Sequence, residues 1–329
     1  MNTILTDTFN RMHDYLRISL TDNCNLRCFY CMPEESYTFT PASRLMQAAE
    51  IFTIAEQFVQ LGVKKIRLTG GEPLVRKDAA IIIQQLATLP VELTITTNGT
   101  RIQSFIPTLK KNGIKSINVS LDTLNRERFL VMTRRDQFPQ VYDSISQLIA
   151  EGFHVKVNVV VMKGLNEEEL PAFLNWTKNT PVHVRFIEFM PFSGNRWSSN
   201  QVLTWQEILE IAARQYEFTP LESAAQDTAK KYQIPGHAGS FAVISTMSNN
   251  FCSTCNRLRL TADGKLKNCL FSSSETDLLT PLRNGQQLLP LIQQTIAHKK
   301  KELGGQFTQD FEKIETAALQ NRTMITIGG

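Results

Sequence analysis

Three cysteines near the start of the chain, Cys24, Cys28 and Cys31, have a type and a spacing that could do chemistry. They follow the pattern C-x3-C-x2-C, with Tyr30 directly before the last thiol. Such a loop can place three thiolates on one iron–sulfur cluster, and because a 4Fe–4S cluster has four irons, one iron is left without a protein ligand. An open metal position can bind and activate a small molecule. The spacing therefore predicts chemistry at a cluster, with a structural zinc knuckle as the alternative.

A second set of three cysteines, Cys252, Cys255 and Cys269, follows the pattern C-x2-C-x13-C. Zinc is a stronger alternative here, because C-x2-C is a common zinc half-site and His237 lies upstream. The spacing alone leaves a cluster and a zinc site about equally favoured. In a chain without signs of secretion, six cysteines indicate metal ligands or catalytic thiols rather than disulfides.

Six basic residues interrupt the apolar segments that read as strands: Arg17, Lys65, Arg67, Lys156, Arg257 and Arg259. Residues two apart in a strand share a face, so each closely spaced pair points the same way. A cation buried alone is costly, and an internal salt bridge to Glu188 or Asp122 is one interpretation. Six cations aimed at one cavity instead predict a polyanionic ligand such as a triphosphate. The chain has no G-x4-G-K-[ST] phosphate loop, which excludes an ordinary GTPase.

The elements that must position these residues alternate between short apolar strands and amphipathic helices as far as about Glu188. The predicted strands are Leu16–Leu20, Lys65–Leu68, Glu92–Thr96, Ser116–Ser120, His154–Val161 and His183–Ile187. The predicted helices include Ser43–Leu61, Asp78–Leu86, Val141–Glu151 and Glu167–Lys178. Six βα units predict parallel strands with right-handed crossovers. Because no dinucleotide fingerprint is present, we expect an α/β fold with a partial (β/α)6 barrel, similar to a TIM barrel, rather than a doubly wound sheet.

In such a barrel the chemistry lies at the carboxyl ends of the strands. The cysteine loop follows the first strand, Gly70-Gly71-Glu72-Pro73 the second and Thr96-Thr97-Asn98-Gly99 the third, while Ser120 ends the fourth. Residues 1–200 are therefore expected to form the barrel with the first cysteine set. Residues 201–329 are expected to form a C-terminal α+β extension that carries the second set.

Length and composition bound the class of protein. With 329 residues, 42% hydrophobic and 20% charged, the chain can bury a full core. A net charge of +4 does not by itself indicate nucleic-acid binding. The first fourteen residues lack an apolar signal-peptide core, and no apolar run reaches transmembrane length. We therefore expect a cytoplasmic protein with no membrane or nucleic-acid partner.

The cysteine loop, the glycine turn and the six βα units together resemble the radical S-adenosylmethionine (SAM) enzymes. The resemblance implies that Cys24, Cys28 and Cys31 bind a 4Fe–4S cluster whose open iron chelates SAM, and that reduction of the cluster yields a 5′-deoxyadenosyl radical. It implies further contacts to SAM from Tyr30, Gly71, Ser120 and Met190. At Gly71 the missing Cβ would let the backbone approach the ligand closely.

The run Cys255-Asn256-Arg257-Leu258-Arg259-Leu260 and the segment 264–270 resemble one group within that family, the GTP 3′,8-cyclases of molybdenum cofactor biosynthesis (the MoaA type). This resemblance extends from Leu16 to Gly329. It implies a second 4Fe–4S cluster on Cys252, Cys255 and Cys269, with an open iron that binds the purine of the substrate. It implies that GTP is held by Arg17, Arg67, Thr96, Lys156, Arg257, Leu258 and Arg259, to which the alternation in the second strand adds Lys65.

The resemblance also implies catalytic roles. The terminal pair Gly328-Gly329 is expected to reach the active site, and glycine suits a tail that threads a crowded cavity. A frayed terminus is the alternative for this pair. Arg17 and Arg257 are expected among the catalytic residues, Arg257 by helping to reduce the aminyl radical left after cyclisation.

The predicted function is therefore the first step of molybdenum cofactor biosynthesis. The 5′-deoxyadenosyl radical would take hydrogen from the 3′ carbon of GTP, and that carbon would bond to carbon 8 of guanine, giving (8S)-3′,8-cyclo-7,8-dihydro-GTP. The expected partners are a low-potential reductant, a MoaC-type cyclic pyranopterin monophosphate synthase that receives the product, and, as one option, a second copy of the chain. The alternatives are a radical SAM enzyme that modifies a peptide and a zinc-stabilised binding module. No function is predicted for Arg134 or for the loop 33–39.

Overall fold

A computed structural model describes residues 5–34, 37–307 and 310–328. Its strands are β1 (Tyr15–Ser19), β2 (Lys65–Thr69), β3 (Glu92–Thr97), β4 (Ser116–Ser120), β5 (His154–Val161), β6 (His183–Glu188), β7 (Thr219–Pro220), β8 (Lys230–Gln233), β9 (Ser240–Ile244), β10 (Arg257–Leu260), β11 (Lys265–Lys267) and β12 (Thr276–Asp277). Its α-helices are α1 (Ala48–Gln60), α2 (Ala79–Leu86), α3 (Ile102–Lys111), α4 (Arg126–Thr133), α5 (Phe138–Ala150), α6 (Leu170–Asn179), α7 (Trp205–Ala213), α8 (Leu279–Arg283), α9 (Leu289–Ala297) and α10 (Met324–Ile327).

The strands join one sheet in the order β12-β11-β10-β1-β2-β3-β4-β5-β6-β9-β8-β7. Strands β1 to β6 lie side by side in chain order, and each neighbouring pair is parallel. The prediction of six parallel βα units is thus confirmed. The predicted strands end within about one residue of the observed bounds, which is the scatter expected for any assignment of element ends.

The C-terminal part of the chain lengthens this sheet at both edges. Strand β10 pairs in parallel with β1, and β9 pairs in parallel with β6. Each then continues outward through antiparallel partners, β11 and β12 on one side and β8 and β7 on the other. Because strands from both halves share one sheet, the division at residue 200 stays a prediction.

The helices pack against the sheet over a core of Ile, Leu, Val and Phe side chains. Helix α1 begins at Ala48 rather than at the predicted Ser43, because Gln47 and Glu50 form a capping box there. Ser43 belongs to a separate 3-10 turn, Ala42–Arg44. In the described part of the chain, no helix is both long enough and apolar enough to cross a membrane.

Glu188, the last residue of β6, is fully buried and ties the sheet to two C-terminal segments. Its carboxylate accepts hydrogen bonds from the backbone N–H of Trp205 (2.8 Å), Met247 (2.7 Å) and Ser248 (2.9 Å). The hydroxyl of Ser248 donates a further one. The charge of Glu188 is therefore balanced by aligned hydrogen-bond donors.

We expect Glu188→Ala to lower the free energy of unfolding by about 3 kcal/mol, because it leaves several buried donors without an acceptor. Urea denaturation under anaerobic conditions measures this change. Glu168→Ala is the matched control, since the Glu168 side chain is 66% exposed in its ion pair with Arg128. A loss no larger than that of the control would contradict the structural role given to Glu188.

Candidate active site

The cysteine cavity is a space of about 870 Å³ beyond the carboxyl ends of β1 to β4, lined by Cys24, Cys28 and Cys31 together. The backbone N–H groups of Cys31 and Met32 both donate to the carbonyl of Cys28, at 2.9 and 2.8 Å. This turn brings the first cysteine set around one space. Such a set can hold a cluster while leaving one iron open.

The thiols of this set lie in an environment that opposes negative charge. Burial, with the carboxylate of Glu72 adding to it, raises the pKa of Cys24 to about 11. Burial, followed by Cys24 and Asp122, raises the pKa of Cys31 to about 12. The pKa of Cys28 is raised further by burial and Asp122. Metal binding at these thiols must therefore release protons.

A zinc ion makes a strict demand on the geometry of its ligands. Zinc draws all its ligand atoms to within about 2.0–2.3 Å. Among residues 5–34, 37–307 and 310–328, no three His, Cys, Asp or Glu side chains are grouped in a way that could hold one metal ion.

Gly70 and Gly71 are required by the backbone beside them. A Cβ on Gly71 would lie 2.5 Å from the carbonyl oxygens of both Asp22 and Asn23, and one on Gly70 would lie 2.6 Å from that of Thr21. The missing Cβ therefore lets the turn pack against the start of the cysteine loop. The structure thus adds a backbone reason for glycine here, and the contact of Gly71 with a ligand stays a prediction, since Gly71 also lines the cysteine cavity.

Glu72, for which the sequence predicted no role, fixes the adjoining turns. It is fully buried and accepts hydrogen bonds from Thr97 Oγ1 (2.8 Å) and from the backbone N–H of Asn98 (2.6 Å) and Leu74 (3.0 Å). Burial outweighs these bonds and raises the pKa of Glu72 to about 7. The ends of β2 and β3 are thereby held together under the first cysteine set.

The cysteine cavity shares a wall with a second, larger cavity. The residues that line both are Tyr30, Thr96, Ser120, Asp122 and Met324. The hydroxyl of Tyr30 donates to Asp122 Oδ2 at 2.6 Å, and burial raises the pKa of Asp122 to about 6. The two cavities are therefore adjacent, separated by these side chains.

The second cavity, here called the cation cavity, opens to solvent and spans about 2000 Å³ including that solvent space. Its basic lining residues are Arg17, Lys64, Lys65, Arg67, Lys156, Arg185, Lys231, Arg257 and Arg259. The strand register explains this concentration of charge, because Arg17 lies opposite Arg67 on β2 and opposite Arg259 on β10. Three guanidinium side chains thus start from adjacent strands, which lie about 4.8 Å apart.

Lys65 and Lys231 are paired with the carboxylates of Glu92 and Asp227, but most cations of this cavity have no such partner in the described residues. In the described ranges, no ion pair involves Arg17, Arg67, Lys156, Arg185, Arg257 or Arg259. Glu188 accepts backbone amides and a hydroxyl, and Asp122 accepts a hydroxyl and a backbone amide. The internal salt bridges considered from the sequence are therefore not formed. Burial, together with the charges of Arg259 and Arg67, lowers the pKa of Arg17 well below its ordinary value.

Several buried polar atoms of this cavity have no hydrogen-bond partner among the described residues. These atoms are Arg17 Nε, Asn118 Oδ1, Arg185 Nε, Asn256 Oδ1 and Arg257 Nη2. A buried polar group without a partner costs free energy. The cavity is therefore suited to a large ligand that carries several negative charges and further polar atoms.

The structure also gives the placement of three further residues that the sequence predicted for the site. Lys65 forms an ion pair with Glu92 at 2.8 Å at the rim of the cation cavity. The Leu258 side chain is fully buried in the core, since alternation turns it away from the face that carries its arginine neighbours. Met190 lines the cation cavity and is not among the residues that line the cysteine cavity.

Arg185 is a cavity residue that sequence reasoning missed. Its guanidinium donates to Asn158 Oδ1 at 2.5 Å and lines the cation cavity. The signal was available, because Arg185 lies in β6 between the buried Val184 and Phe186, the same alternation that identified Arg67.

The described part of the C-terminal tail, up to Gly328, lies between the two cavities. Met324 lines both, Ile325 lines the cysteine cavity and Ile327 the cation cavity. The carbonyl of Gly328 accepts a hydrogen bond from Arg259 Nη1 at 3.0 Å, and Gly328 has a φ of 80°. A Cβ on Gly328 would meet Ser19 Cβ at 2.6 Å, so this position requires glycine. Gly329 lies outside the described residues.

The second cysteine set lies behind the far wall of the cation cavity. The chain neighbours of these cysteines that line the cavity are Phe251, Asn256, Arg257 and Leu270. Burial would raise the pKa of Cys255, but Arg257 and Lys299 lower it to about 7. By contrast, burial raises the pKa of Cys252 to about 11.

Comparisons with known proteins agree with this geometry. The family model "Radical SAM superfamily" matches residues 18–177, and "Molybdenum Cofactor Synthesis C" matches residues 182–304. The mitochondrial GTP 3′,8-cyclase of Arabidopsis thaliana is 44% identical over 336 residues, covering 100% of this chain and 84% of that protein. The GTP 3′,8-cyclase of Listeria monocytogenes is 40% identical over 303 residues, covering 90% and 91%.

Longer relatives are also similar. Human molybdenum cofactor biosynthesis protein 1 is 46% identical over 333 residues, which is 99% of this chain and 51% of that protein, so this chain spans about half the length of such relatives. In fold, the chain resembles the crystal structure of Streptococcus suis SuiB bound to S-adenosylmethionine (TM-score 0.57, 16% identity, 83% of this chain and 67% of that one). The chain therefore belongs to the family of radical SAM proteins of molybdenum cofactor biosynthesis that includes the GTP 3′,8-cyclases.

Proposed function

We propose that this chain is a GTP 3′,8-cyclase that converts GTP to (8S)-3′,8-cyclo-7,8-dihydro-GTP. The observation that carries the proposal is the row of Arg67, Arg17 and Arg259, which has no carboxylate partner among the described residues, in a cavity that shares a wall with the first cysteine set. A triphosphate supplies the anionic oxygens that such a row lacks. The family to which the chain belongs supports the same reaction.

The cysteine cavity would hold the first 4Fe–4S cluster and SAM. Cys24, Cys28 and Cys31 would ligate the cluster, and Gly71, Tyr30 and Ser120 would contact SAM. When bound, this pair supplies the 5′-deoxyadenosyl radical that takes a hydrogen atom from the substrate. Ser120 and Tyr30, which line both cavities, would hold the ribose of GTP close to that radical. Such positioning converts a bimolecular step into a unimolecular one.

The cation cavity would hold GTP. Its phosphates would be bound by Arg17, Arg67, Thr96, Lys156, Arg257 and Arg259, with Lys65 and Arg185 at the sides. Arg67 Nη1 already donates to Thr96 Oγ1 at 3.3 Å, so the two side chains form one binding surface. Leu258 would contribute only its backbone, because its side chain is in the core. Met190 would contact GTP or the edge of SAM from the cation cavity.

The second cysteine set would hold a second 4Fe–4S cluster that binds guanine. Cys252, Cys255 and Cys269 would ligate it, and Arg257, whose neighbours on the chain include Cys255, would face the reacting base from the cavity wall. Arg17 and the tail residues Gly328 and Gly329 would complete the catalytic group. A cytoplasmic location, an external low-potential reductant, a MoaC-type synthase as the next enzyme and a homodimer belong to the same proposal.

The proposal is tested by anaerobic incubation of the iron–sulfur-loaded protein with SAM, a chemical reductant and GTP. We expect 5′-deoxyadenosine to form much faster with GTP than with ATP or without nucleotide, together with a cyclised nucleotide of the same mass as GTP. The absence of GTP-dependent 5′-deoxyadenosine would sink the cyclase proposal. A peptide-modifying enzyme would show this result, although a peptide gives no reason for so many unpaired cations.

Binding of GTP should depend on the protonation of Lys156. Burial, then the charges of Arg185, Arg67 and Lys65, lower the pKa of Lys156 to about 8. A bound triphosphate favours the protonated amine, so affinity is full below pH 8 and falls by up to about tenfold per pH unit above it. Calorimetric titration between pH 6.5 and 9.5 measures this slope. The arginine in Lys156→Arg keeps its charge over this range, so this variant should show no such fall in affinity with pH. Equal slopes in both proteins would contradict the assignment of the pH dependence to Lys156.

A further inference from the structure

The segment 299–303, which the proposed reaction does not use, donates hydrogen bonds to two thiols of the second cysteine set. Lys299 Nζ lies 3.7 Å from Cys255 Sγ, 3.5 Å from the carbonyl of Cys255 and 3.2 Å from that of Arg257. The backbone N–H of Leu303 donates to Cys252 Sγ at 3.4 Å. Hydrogen bonds to cluster sulfurs change reduction potentials.

This segment is held in place by Arg11. Its Nη1 donates to the carbonyls of Cys252 and Lys301, both at 2.7 Å, and its Nη2 donates to the carbonyl of Lys300 at 2.9 Å. Asp7 balances the charge of Arg11 through an ion pair of 2.6 Å in which both side chains are buried. The same guanidinium therefore fixes the backbone on each side of the contact between Lys299 and Cys255.

The ammonium group of Lys299 has no carboxylate partner. Lys299 is 4% exposed, and in the described part of the chain its ammonium group takes part in no ion pair. Asp7 acts on it only at a distance, because its carboxylate is already bound to Arg11 and His13. A buried cation is stable only beside negative charge, and the groups in contact with Lys299 that can carry it are thiolates.

The two cysteine sets therefore lie in opposite electrostatic environments. Two buried carboxylates, Glu72 and Asp122, lie beside the first set, with one cation, Arg27, near Cys24. Cations, Arg11, Arg257 and Lys299, lie beside the second. Positive charge near a cluster stabilises its reduced form, and negative charge destabilises it. The second set is thus the one arranged to keep a cluster easy to reduce.

We propose that Lys299 is a positioning residue that balances the thiolate charge of the second cysteine set and raises the reduction potential of the cluster bound there. The inference rests on the proposed function, since it requires a cluster on Cys252, Cys255 and Cys269. Its consequence is specific: the charge of Lys299 acts on one cluster and not on the other.

The test is an anaerobic potentiometric titration of the holoenzyme followed by electron paramagnetic resonance. The signal that SAM perturbs identifies the first cluster, which serves as an internal reference. In Lys299→Met we expect the ratio of reduced to oxidised second cluster, at a fixed potential near its midpoint, to fall about tenfold, equivalent to a shift of the midpoint by about −59 mV for one electron. Lys299→Arg should retain the wild-type value. Lys301→Met removes an exposed lysine two residues away and should change neither cluster.

Each result decides the inference. An unchanged second potential in a Lys299→Met protein with full iron content overturns it. Loss of the second cluster in Lys299→Met but not in Lys299→Arg supports it, because arginine keeps the positive charge that methionine removes. Loss in both variants overturns it and assigns Lys299 to packing. If wild-type protein holds only one cluster, the proposed function of the second set fails first, and iron and sulfide analysis shows this before any potential is measured.

Discussion

Replacing Cys28 with alanine is expected to abolish the cleavage of SAM. Two remaining thiols cannot hold a cluster that three thiols share, and Cys28 also provides the carbonyl around which the cysteine loop turns. The alanine keeps that carbonyl, so the fold should survive while about four irons and four sulfides are lost. The measurement is 5′-deoxyadenosine formed under reducing conditions, together with iron and sulfide content.

Cys252→Ala is the matched control for this prediction. It removes one thiol of the second set, which lies behind the cation cavity and away from the cysteine cavity. We expect this variant to lose about the same amount of iron, to retain cleavage of SAM and to fail in forming the cyclised nucleotide. Equal retention of SAM cleavage in Cys28→Ala and Cys252→Ala would show that the first set does not bind the cluster at which SAM reacts.

Arg17→Met should weaken the binding of GTP by about 100-fold, or about 2.7 kcal/mol, and should leave the protein without GTP at least as stable as the wild type. Arg17 stands between Arg67 and Arg259 on neighbouring strands, so it contributes most to both phosphate binding and mutual repulsion. Replacing a buried, unpaired charge with an apolar side chain of similar length removes a desolvation cost. Calorimetry with GTP and urea denaturation without it measure the two effects.

The pair of effects distinguishes a binding residue from a structural one. Arg76→Met is the control, because Arg76 is bound to Asp78 at 2.6 Å and to the carbonyls of Leu20 and Met46. We expect that variant to lose stability and to show unchanged affinity for GTP in the folded fraction. A loss of stability in Arg17→Met as large as in Arg76→Met would contradict the view that the guanidinium row is held for a ligand.

The sequence predicted the parallel strands well because their apolar runs are bounded by turns. It also predicted that Lys65, Arg67, Arg257 and Arg259 face a cavity, because alternation in a strand determines the face of each residue. It could not predict that β10 pairs beside β1, since pairing between segments about 240 residues apart leaves no local pattern. That pairing is what places Arg259 next to Arg17.

Contacts around the second cysteine set were invisible in the sequence for the same reason. Arg11 reaches Cys252 and Lys301 across most of the chain, and no spacing rule connects them. The backbone constraint on Gly71 was also not predicted, because close approach to a ligand and close approach to the chain's own backbone require the same residue. Alternation did signal Arg185, which was overlooked.

The central claim is that SAM in the cysteine cavity reacts with the ribose of GTP across the shared wall. The most direct measurement is the fate of deuterium at the 3′ carbon of GTP during anaerobic turnover, followed by mass spectrometry. The account predicts one deuterium in the 5′-deoxyadenosine and its absence from carbon 3′ of the cyclised product. Unlabelled 5′-deoxyadenosine, formed at the same rate with and without GTP, would contradict it.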